Sequence, residues 1–340
     1  MLLVLQLISF SATPCTIFVL TGTDRTLFFN NEDYSNPTTW LWFRPSGKSH
    51  FGCAFVGFDN GWAQGGVNEN GLAFDWVAGF PNQWTPDESL ETAQGNTSER
   101  MLESCSTISE AIEFYQKYQE PGFTYAKILI ADKTGASVII GIRDGNLHFD
   151  QSRQSRGFGY GQKVLASQLS GSTEPTISNG RSILQACRQK GTYATKYSNV
   201  FDLRSGEIQL VGFSENRPDI RLNLNDELSK GQHYYEISNI NSQLLQEPID
   251  LLPAMKRFLW EGYQDILDKN PALTNRVKQI SQEALVGNPQ RKDYTPVYWK
   301  EVSQYPQPSE NAIRALGNLL AAKACKGAGD SQPVFQLVCD

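Results

Sequence analysis

The residues Pro-Cys-Thr-Ile-Phe-Val-Leu occupy positions 14–20 of the chain. The apolar and β-branched residues after Cys15 predict a strand over Thr16–Leu20, and Thr26–Phe29 predicts a second strand. Between them, Thr-Gly-Thr-Asp-Arg at 21–25 indicates a tight reversal. Cys15 therefore lies at the mouth of a predicted β-hairpin.

The segment before Cys15 has the composition of a leader. Residues 2–10 are predominantly apolar and are followed by Ser-Ala-Thr at 11–13, an order typical of a signal peptide, although the basic start is absent. We expect residues 1–14 to be a leader or propeptide that is removed, which predicts a secreted or periplasmic protein. Pro14 is unfavourable for a signal peptidase, so we expect a second trimming or self-cleavage step. The alternative is a buried first strand of a cytosolic protein.

Removal of residues 1–14 would place a thiol and a free α-amine on Cys15. A thiolate is a strong nucleophile, and an α-amine with a pKa of about 7.7–8.0 can accept the thiol proton near neutral pH. A buried thiol or a disulfide partner is the structural alternative. A lipid anchor is disfavoured, because Cys15 continues directly into a predicted strand. We therefore predict that Cys15 is a nucleophile.

The composition excludes several other classes of protein. The chain has 340 residues, 40% of them hydrophobic, which is enough for a sizeable core, and a net charge of −6 argues against nucleic-acid binding. The three histidines are isolated and the six cysteines contain no CxxC pair, so we expect no metal and no cofactor. After the leader, no apolar run approaches the ~20 residues of a membrane span, so stable membrane insertion is not expected.

The middle of the chain alternates predicted hairpins with helices. Helical spacing of apolar residues predicts helices at 107–119 and 178–189. Strands are expected at 40–45, 51–58, 65–68, 72–76, 125–130, 137–142, 146–149, 197–203 and 207–211. Hairpins separated by helices predict stacked antiparallel sheets with helical outer layers, an α+β architecture.

Two polar stretches are predicted to be loops. Residues 30–34 (Asn-Asn-Glu-Asp-Tyr) follow the second strand, and residues 82–99 are rich in polar residues, Pro and Gly. The second stretch contains Asn96-Thr97-Ser98, a glycosylation acceptor if the protein passes through a eukaryotic secretory pathway.

The pattern changes near Pro248. Three helical periods follow, at 249–268, 272–286 and 310–323, joined by breaks that contain Pro and Gly. We therefore predict a core domain at 15–247 and a C-terminal helical extension at 248–340 that packs on it.

Three motifs carry a resemblance to a known family. They are Cys15-Thr16 opening a strand, Asn-Asn-Glu-Asp at 30–33, and Asn-Glu-Asn-Gly-Leu-Ala at 68–73 after the pair Gly65-Gly66. In this order they resemble the N-terminal-nucleophile (Ntn) linear amide C–N hydrolases, the group of choloylglycine hydrolases, penicillin V acylases, acid ceramidase and acyl-coenzyme A:6-aminopenicillanic acid acyltransferases. The resemblance covers residues 15–211.

The resemblance implies a fold and a reaction. The fold is a four-layer αββα sandwich of antiparallel sheets, and the reaction is cleavage or transfer at a linear amide C–N bond other than a peptide bond. The nucleophilic cysteine becomes the first residue by processing. Tetramers occur in this family, so a homo-oligomer is compatible with the resemblance.

The resemblance assigns roles to individual residues. Cys15 matches the nucleophile, and Asp33 matches the Asp of the family motif Arg-Asn-x-Asp. Asp33 is expected to hold the α-ammonium or amine of Cys15 by a charge-assisted hydrogen bond. Asn30 stands where the family has Arg, and an amide cannot lower the thiol pKa by charge.

The oxyanion-binding residues are less complete. The family uses an Asn side chain that would fall within 156–162, where this sequence has none; Tyr160 and Gln162 are the candidate donors. A backbone N–H near Ala78 is the second candidate. Arg181 corresponds to a later family arginine, and its alternative is a solvated helix residue.

The predicted function is therefore a cysteine amidase that acts on a small-molecule N-acyl amine through an acyl thioester. An acyltransferase using the same site is the first alternative. A non-catalytic αββα binding module is the second, favoured by the departures at Asn30 and at 156–162. Aromatic residues could line an acyl pocket or fill the core: Trp40, Trp42, Phe43, Phe74, Trp76, Phe80 and Trp84.

Overall fold

The computed structural model describes residues 15–35, 39–58, 62–82, 84–87, 89–93, 96–170, 173–212, 219–238 and 240. The leader at 1–14 and the three C-terminal helices predicted beyond residue 248 lie outside the described residues.

Within these ranges the chain forms mostly antiparallel strands with a few short helices. The strands are β1 Thr16–Thr21, β2 Thr26–Asp33, β3 Thr39–Arg44, β4 Cys53–Phe58, β5 Ala63–Asn68, β6 Leu72–Ala78, β7 Glu91–Thr92, β8 Tyr118–Gln119, β9 Ala126–Asp132, β10 Ser137–Arg143, β11 Asn146–Ser152, β12 Arg156–Gly159, β13 Thr195–Asp202, β14 Glu207–Leu210, β15 Ile220–Asn223 and β16 His233–Glu236. The helices are α1 Thr97–Ser104, α2 Ile108–Lys117, α3 Gln162–Leu169, α4 Ile177–Ala186 and α5 Leu224–Ser229, with a 3₁₀ turn at Pro121–Thr124.

The described residues divide into two compact units, one drawn from 15–35, 75–85 and 121–221 and the other from 39–74, 86–120 and 222–240. Strand β6 gives its first three residues to the second unit and its last four to the first. The predicted domain boundary at residue 247 stays a prediction.

The first unit is built on an antiparallel sheet of order β12-β1-β2-β13-β14-β15. Strands β1 and β2 pair from Thr16 opposite Asn31 to Thr21 opposite Thr26, which confirms the predicted hairpin. Helices α3 and α4 cover one face of this sheet. Strands β9, β10 and β11 follow one another in a second sheet, and β9 lies against β1. The first unit therefore has a helical layer and two layers of strands.

Aromatic packing holds the helical layer on the sheet. The rings of Phe18 and Phe29 stack with centroids 4.6 Å apart, and Ile183 and Leu184 of α4 belong to the same buried cluster. A Cβ at Gly180 would lie 2.0 Å from Cζ of Phe29, so α4 approaches β2 as closely as glycine permits. The predicted helix at 178–189 is confirmed, while α3 was not predicted.

The predicted loop at 30–34 is wrong over most of its length. Residues Asn30, Asn31, Glu32 and Asp33 are buried and form the end of β2. The strand is paired on both sides, by β1 and by β13. Ladder hydrogen bonds on both edges outweigh the turn preference of Asn and Asp, which is a weak local effect.

The second unit contains the strand order β5-β4-β3-β16, with α1 packed on β5. The predicted Asn-Gly turn is confirmed, because the Asn68 side chain accepts from the backbone N–H groups of Asn70 and Leu72, and Gly71 has φ of 79°. The Asn68 amide also donates to the carbonyls of Leu102 and Cys105, each at 2.7 Å. These two hydrogen bonds connect the turn to the end of α1.

The predicted loop at 82–99 is also wrong at its end, where α1 begins. The Asn96 side chain accepts from the N–H groups of Ser98 and Glu99 and donates to the carbonyl of Ala63 at 3.1 Å. Asn96 is only 5% exposed. Its amide is used as a helix cap in the folded chain, so it is not the exposed glycosylation acceptor that the sequence suggested.

Helix α2 offers a test of local stability. Thr107 caps it, and a reciprocal capping box with Glu110 is complete. Thr107→Ala is expected to lower the free energy of unfolding by about 1 kcal/mol, since it leaves an N–H group of the first turn without its acceptor. Urea unfolding measures the change. Ser109→Ala, at an exposed position of the same turn, is the control, and an equal loss in both variants would contradict the assignment.

Candidate active site

The β1–β2 hairpin brings the predicted nucleophile and its predicted partner together. Cys15 immediately precedes β1 and is 5% exposed. Its backbone N–H donates to Asp33 Oδ2 at 3.0 Å. Its Sγ lies 3.5 Å from Glu32 Oε1 and 3.5 Å from the backbone nitrogen of Asp33. The nitrogen that would become the α-amine and the thiol thus both face the end of β2.

Asp33 is itself held by the neighbouring strand. Thr195, the first residue of β13, pairs opposite Asp33 and donates its hydroxyl to Asp33 Oδ1 at 2.5 Å. Burial raises the pKa of the Asp33 carboxyl to about 6, against the lowering by these hydrogen bonds and by the charges of Arg188 and Lys196. The carboxylate is therefore fixed in place with one oxygen directed at Cys15.

The end of β12 fixes the other side of Cys15. The Tyr160 N–H donates to the Cys15 carbonyl at 2.6 Å, and the Thr16 hydroxyl donates to the Tyr160 carbonyl at 2.8 Å. Gly159 has φ of 120°, and a Cβ there would lie 2.3 Å from the Cys15 carbonyl oxygen. Glycine is required at this position by its backbone conformation and by this close approach.

The backbone of Cys15 is strained. Its φ of 65° lies in the left-handed region, which costs a residue with a Cβ about 1–2 kcal/mol. Strained backbone is concentrated at functional sites. The φ angle of Cys15 is defined by the carbonyl carbon of residue 14. Cleavage of the peptide bond between residues 14 and 15 would therefore remove this backbone strain.

Three buried carboxyl groups, those of Glu32, Asp33 and Asp75, act electrostatically on the thiol. Burial, together with the charge of Asp33 and against hydrogen bonds from Asn30 and Cys15, raises the pKa of Glu32 to about 8. Burial and the charge of Glu32 hold the pKa of Asp75 well above its usual range. Burial, followed by the charge of Glu32, raises the pKa of the Cys15 thiol. The thiol is therefore protonated in this environment.

Asn30 organises this cluster by hydrogen bonds. Its amide nitrogen lies 3.3 Å from Glu32 Oε2 and 3.4 Å from Asn199 Oδ1. The alternation of β2 directs Asn30 and Glu32 to the same face of the sheet. The position where the resembled family has arginine thus holds a neutral donor that contacts a carboxyl group.

The remaining predicted residues are more scattered. Ala78 is the half-buried last residue of β6, and Gln162 is exposed at the first position of α3. Tyr160 is half-buried and contacts the Cys15 region through its backbone. The Arg181 guanidinium forms an ion pair with Asp219 and donates to the Gly212 carbonyl. The roles predicted for these four residues stay predictions.

The aromatic residues divide between core and surface. Trp42, Phe43 and Phe74 are buried core residues of the second unit. In the first unit, the half-buried Phe80 lies edge-on to Phe158 at 5.8 Å and beneath the Lys127 ammonium at 4.4 Å. An acyl pocket is therefore more compatible with Phe80 and its neighbours Phe158 and Lys127 than with the buried aromatic residues of the second unit.

Sequence reasoning missed Glu32, Asp75, Thr195 and Tyr197. Tyr197 pairs opposite Glu32, and burial, followed by the charge of Glu32, raises the pKa of its hydroxyl. One signal was available: Asp75 interrupts the apolar strand Leu-Ala-Phe-Asp-Trp-Val-Ala at 72–78. A carboxyl group within such a strand indicates a functional or hydrogen-bonded site.

Within the described ranges, no group of three or more His, Cys, Asp or Glu residues could hold a metal ion. None of the helices found there is long and apolar enough to cross a membrane.

No protein-family model and no curated protein matches this sequence. Solved structures do match it. A variant of conjugated bile acid hydrolase from Clostridium perfringens aligns with a TM-score of 0.50 and 16% identity, over 65% of this chain and 97% of that one. Penicillin V acylase from Agrobacterium tumefaciens aligns with a TM-score of 0.48 and 14% identity, over 65% and 90%. An N-acylethanolamine-hydrolyzing acid amidase ortholog from Caenorhabditis elegans aligns at 0.38 and 10%, over 56% and 92%.

At these identities the likeness concerns the fold. The chain has the α+β, αββα fold of the Ntn hydrolases, with antiparallel sheets, and the expectation from the three sequence motifs is confirmed at this level.

Proposed function

We propose that the protein is a cysteine amidase that cleaves the C–N bond of a small-molecule linear amide once residues 1–14 are removed. One observation carries the proposal: the Cys15 nitrogen donates to the Asp33 carboxylate at 3.0 Å while the Cys15 thiol lies beside the same strand end. In the processed chain this nitrogen would be the α-amine. Nucleophile and amine would then share one residue, with a buried carboxylate to orient the amine.

The reaction follows from this arrangement. Cys15 Sγ attacks the amide carbonyl, a proton is delivered to the leaving amine, and a water hydrolyses the acyl thioester. The backbone N–H near Ala78 and the donors at Tyr160 and Gln162 are the candidates to stabilise the oxyanion. The αββα fold supports the proposal, because the solved structures with which the chain aligns include proteins named as a penicillin V acylase and a conjugated bile acid hydrolase. We also propose that the protein is secreted or periplasmic and assembles as a homo-oligomer.

The site supports two alternatives. If an amine or thiol replaces water at the thioester, the same residues make an acyltransferase. A binding module without turnover is favoured by the neutral Asn30 and by the raised pKa of the Cys15 thiol. No guanidinium at position 30 offsets the carboxylates, so the thiol is less activated than in the resembled family.

The first experiment is an intact mass and N-terminal sequence of protein from its native host, followed by amine-release assays on a panel of N-acyl amines. We expect a chain that begins at Cys15 and releases amine from at least one member. A nucleophilic acceptor added in excess distinguishes transfer from hydrolysis. A chain that retains Pro14 would contradict the amidase and favour the binding module.

A further inference from the structure

Glu32 contacts the atom that would react. Its Oε1 accepts from Cys15 Sγ at 3.5 Å, a normal distance for a sulfur donor. Its Oε2 lies 3.3 Å from the amide nitrogen of Asn30, which fixes the plane of the carboxyl group. Glu32 is 3% exposed, and Tyr197 of β13 lies opposite it in the sheet. The contact between Glu32 and the thiol is therefore buried within the sheet.

The position of Asp33 implies that the Cys15 thiol needs a proton acceptor other than the α-amine. In the processed chain the Asp33 carboxylate would hold the α-nitrogen of Cys15, and a nearby carboxylate favours the ammonium form of an amine. An ammonium group has no lone pair and cannot accept the thiol proton. The thiol then requires a second base, and Glu32 already accepts its hydrogen bond.

We propose that Glu32 is a catalytic residue that accepts the Cys15 thiol proton, while the α-ammonium held by Asp33 protonates the leaving amine. This inference rests on the proposed amidase function and assigns a proton acceptor within it. Asn30 is a positioning residue, because it acts on the thiol only through Glu32.

The proton transfers balance over one turnover. In acylation the Sγ proton moves to Glu32 Oε1, the Sγ–C bond forms, the α-ammonium gives a proton to the amide nitrogen, and the C–N bond breaks. In deacylation the neutral α-amine takes a proton from water as the O–C bond forms. The Sγ–C bond then breaks, and the thiolate recovers its proton from Glu32. The free acid and amine leave, and the enzyme returns to its starting state.

The charges around Glu32 suit this role. The ionisable groups that interact with Glu32 are those of Cys15, Asp33, Asp75 and Tyr197. The positive charges of Arg188 and Lys196 lower the pKa of Asp33. Burial raises the pKa of Glu32 to about 8, so its carboxyl group exchanges protons near neutral pH, where a general base is most effective. An α-ammonium beside Asp33 would move this value downward.

Glu32→Gln in the processed chain tests the proposal with two readouts. Removing the carboxylate removes a charge that raises the thiol pKa, so iodoacetamide should alkylate Cys15 at a lower midpoint pH, as mapped by mass spectrometry. Amide turnover should fall by roughly 100-fold in kcat with little change in KM, because the proton acceptor is lost. A purely electrostatic role predicts the opposite for turnover, since the thiol would ionise more easily.

Asp202→Asn is the matched control. Asp202 is a buried carboxyl group of strand β13 that is paired with Arg25 at 2.7 Å, so an amide at this position should leave turnover within a few-fold of wild type. If Glu32→Gln does not fold, Glu32→Asp retracts the carboxylate from the sulfur and should still lower kcat. Unchanged turnover in either Glu32 variant of an active enzyme would overturn the role of Glu32. Wild-type protein that begins at Cys15 but releases no amine would instead overturn the proposed function, and this role with it.

Discussion

Cys15→Ala is expected to abolish amide hydrolysis, lowering kcat by at least about 1,000-fold, because no other group at the end of β2 can form the acyl thioester. The fold should persist. The Cys15 backbone contacts, from Tyr160 and to Asp33, do not depend on the thiol. The measurements are amine release at substrate saturation and circular dichroism. An acyl-enzyme mass adduct should form at Cys15 in the wild type and be absent from the variant.

The matched control is Cys187→Ala. Cys187 is a buried, free cysteine of the same unit, at the end of α4, and its thiol contacts the Gly161 carbonyl at 3.9 Å. Its replacement should leave kcat within a few-fold of wild type. Activity retained by Cys15→Ala, or lost equally in both variants, would contradict the nucleophile assignment.

Asp33→Asn has the second largest expected effect, a fall in kcat of about 100- to 1,000-fold. Asparagine can still accept from the Cys15 nitrogen, but it has no charge to hold an α-ammonium. In the wild type, activity should fall more steeply once the pH drops through about 6, where the Asp33 carboxylate becomes protonated in addition to Glu32. This limb of the pH profile should be missing from the variant.

The folded state should tolerate Asp33→Asn. The pKa of Asp33 is raised from 3.8 to about 6, so its ionisation disfavours the folded state increasingly as the pH rises between these values, and asparagine removes that cost. Asp202→Asn is the control. Asp202 lies in the same sheet and pairs with Arg25 at 2.7 Å, so its loss should affect stability but leave the pH limb unchanged. An unaltered limb in Asp33→Asn would contradict the assignment.

Much of the fold could be predicted from local pattern. Alternation and turn residues located the β1–β2 and β9–β10 hairpins, and the helical spacing of apolar residues located α2. The errors occurred where tertiary contacts outweigh local preference. The polar residues around Asn96 predict a loop, yet its side chain caps α1 and donates to the carbonyl of Ala63, a residue 33 positions earlier.

The sequence by itself determined the nucleophile candidate and its position at the mouth of a hairpin, because these follow from residue type and short-range spacing. The expectation that Asp33 pairs with Cys15 came from the resemblance to the Ntn linear amide C–N hydrolases. Only the tertiary structure decided that residues 30–33 are strand and that Glu32 contacts the Cys15 thiol. Only the tertiary structure also decided that Asp75 and Tyr197 belong to the same cluster. The physical reason is that strands β2, β6 and β13 are distant in sequence, and the burial that shifts the carboxyl pKa values exists only once they have packed.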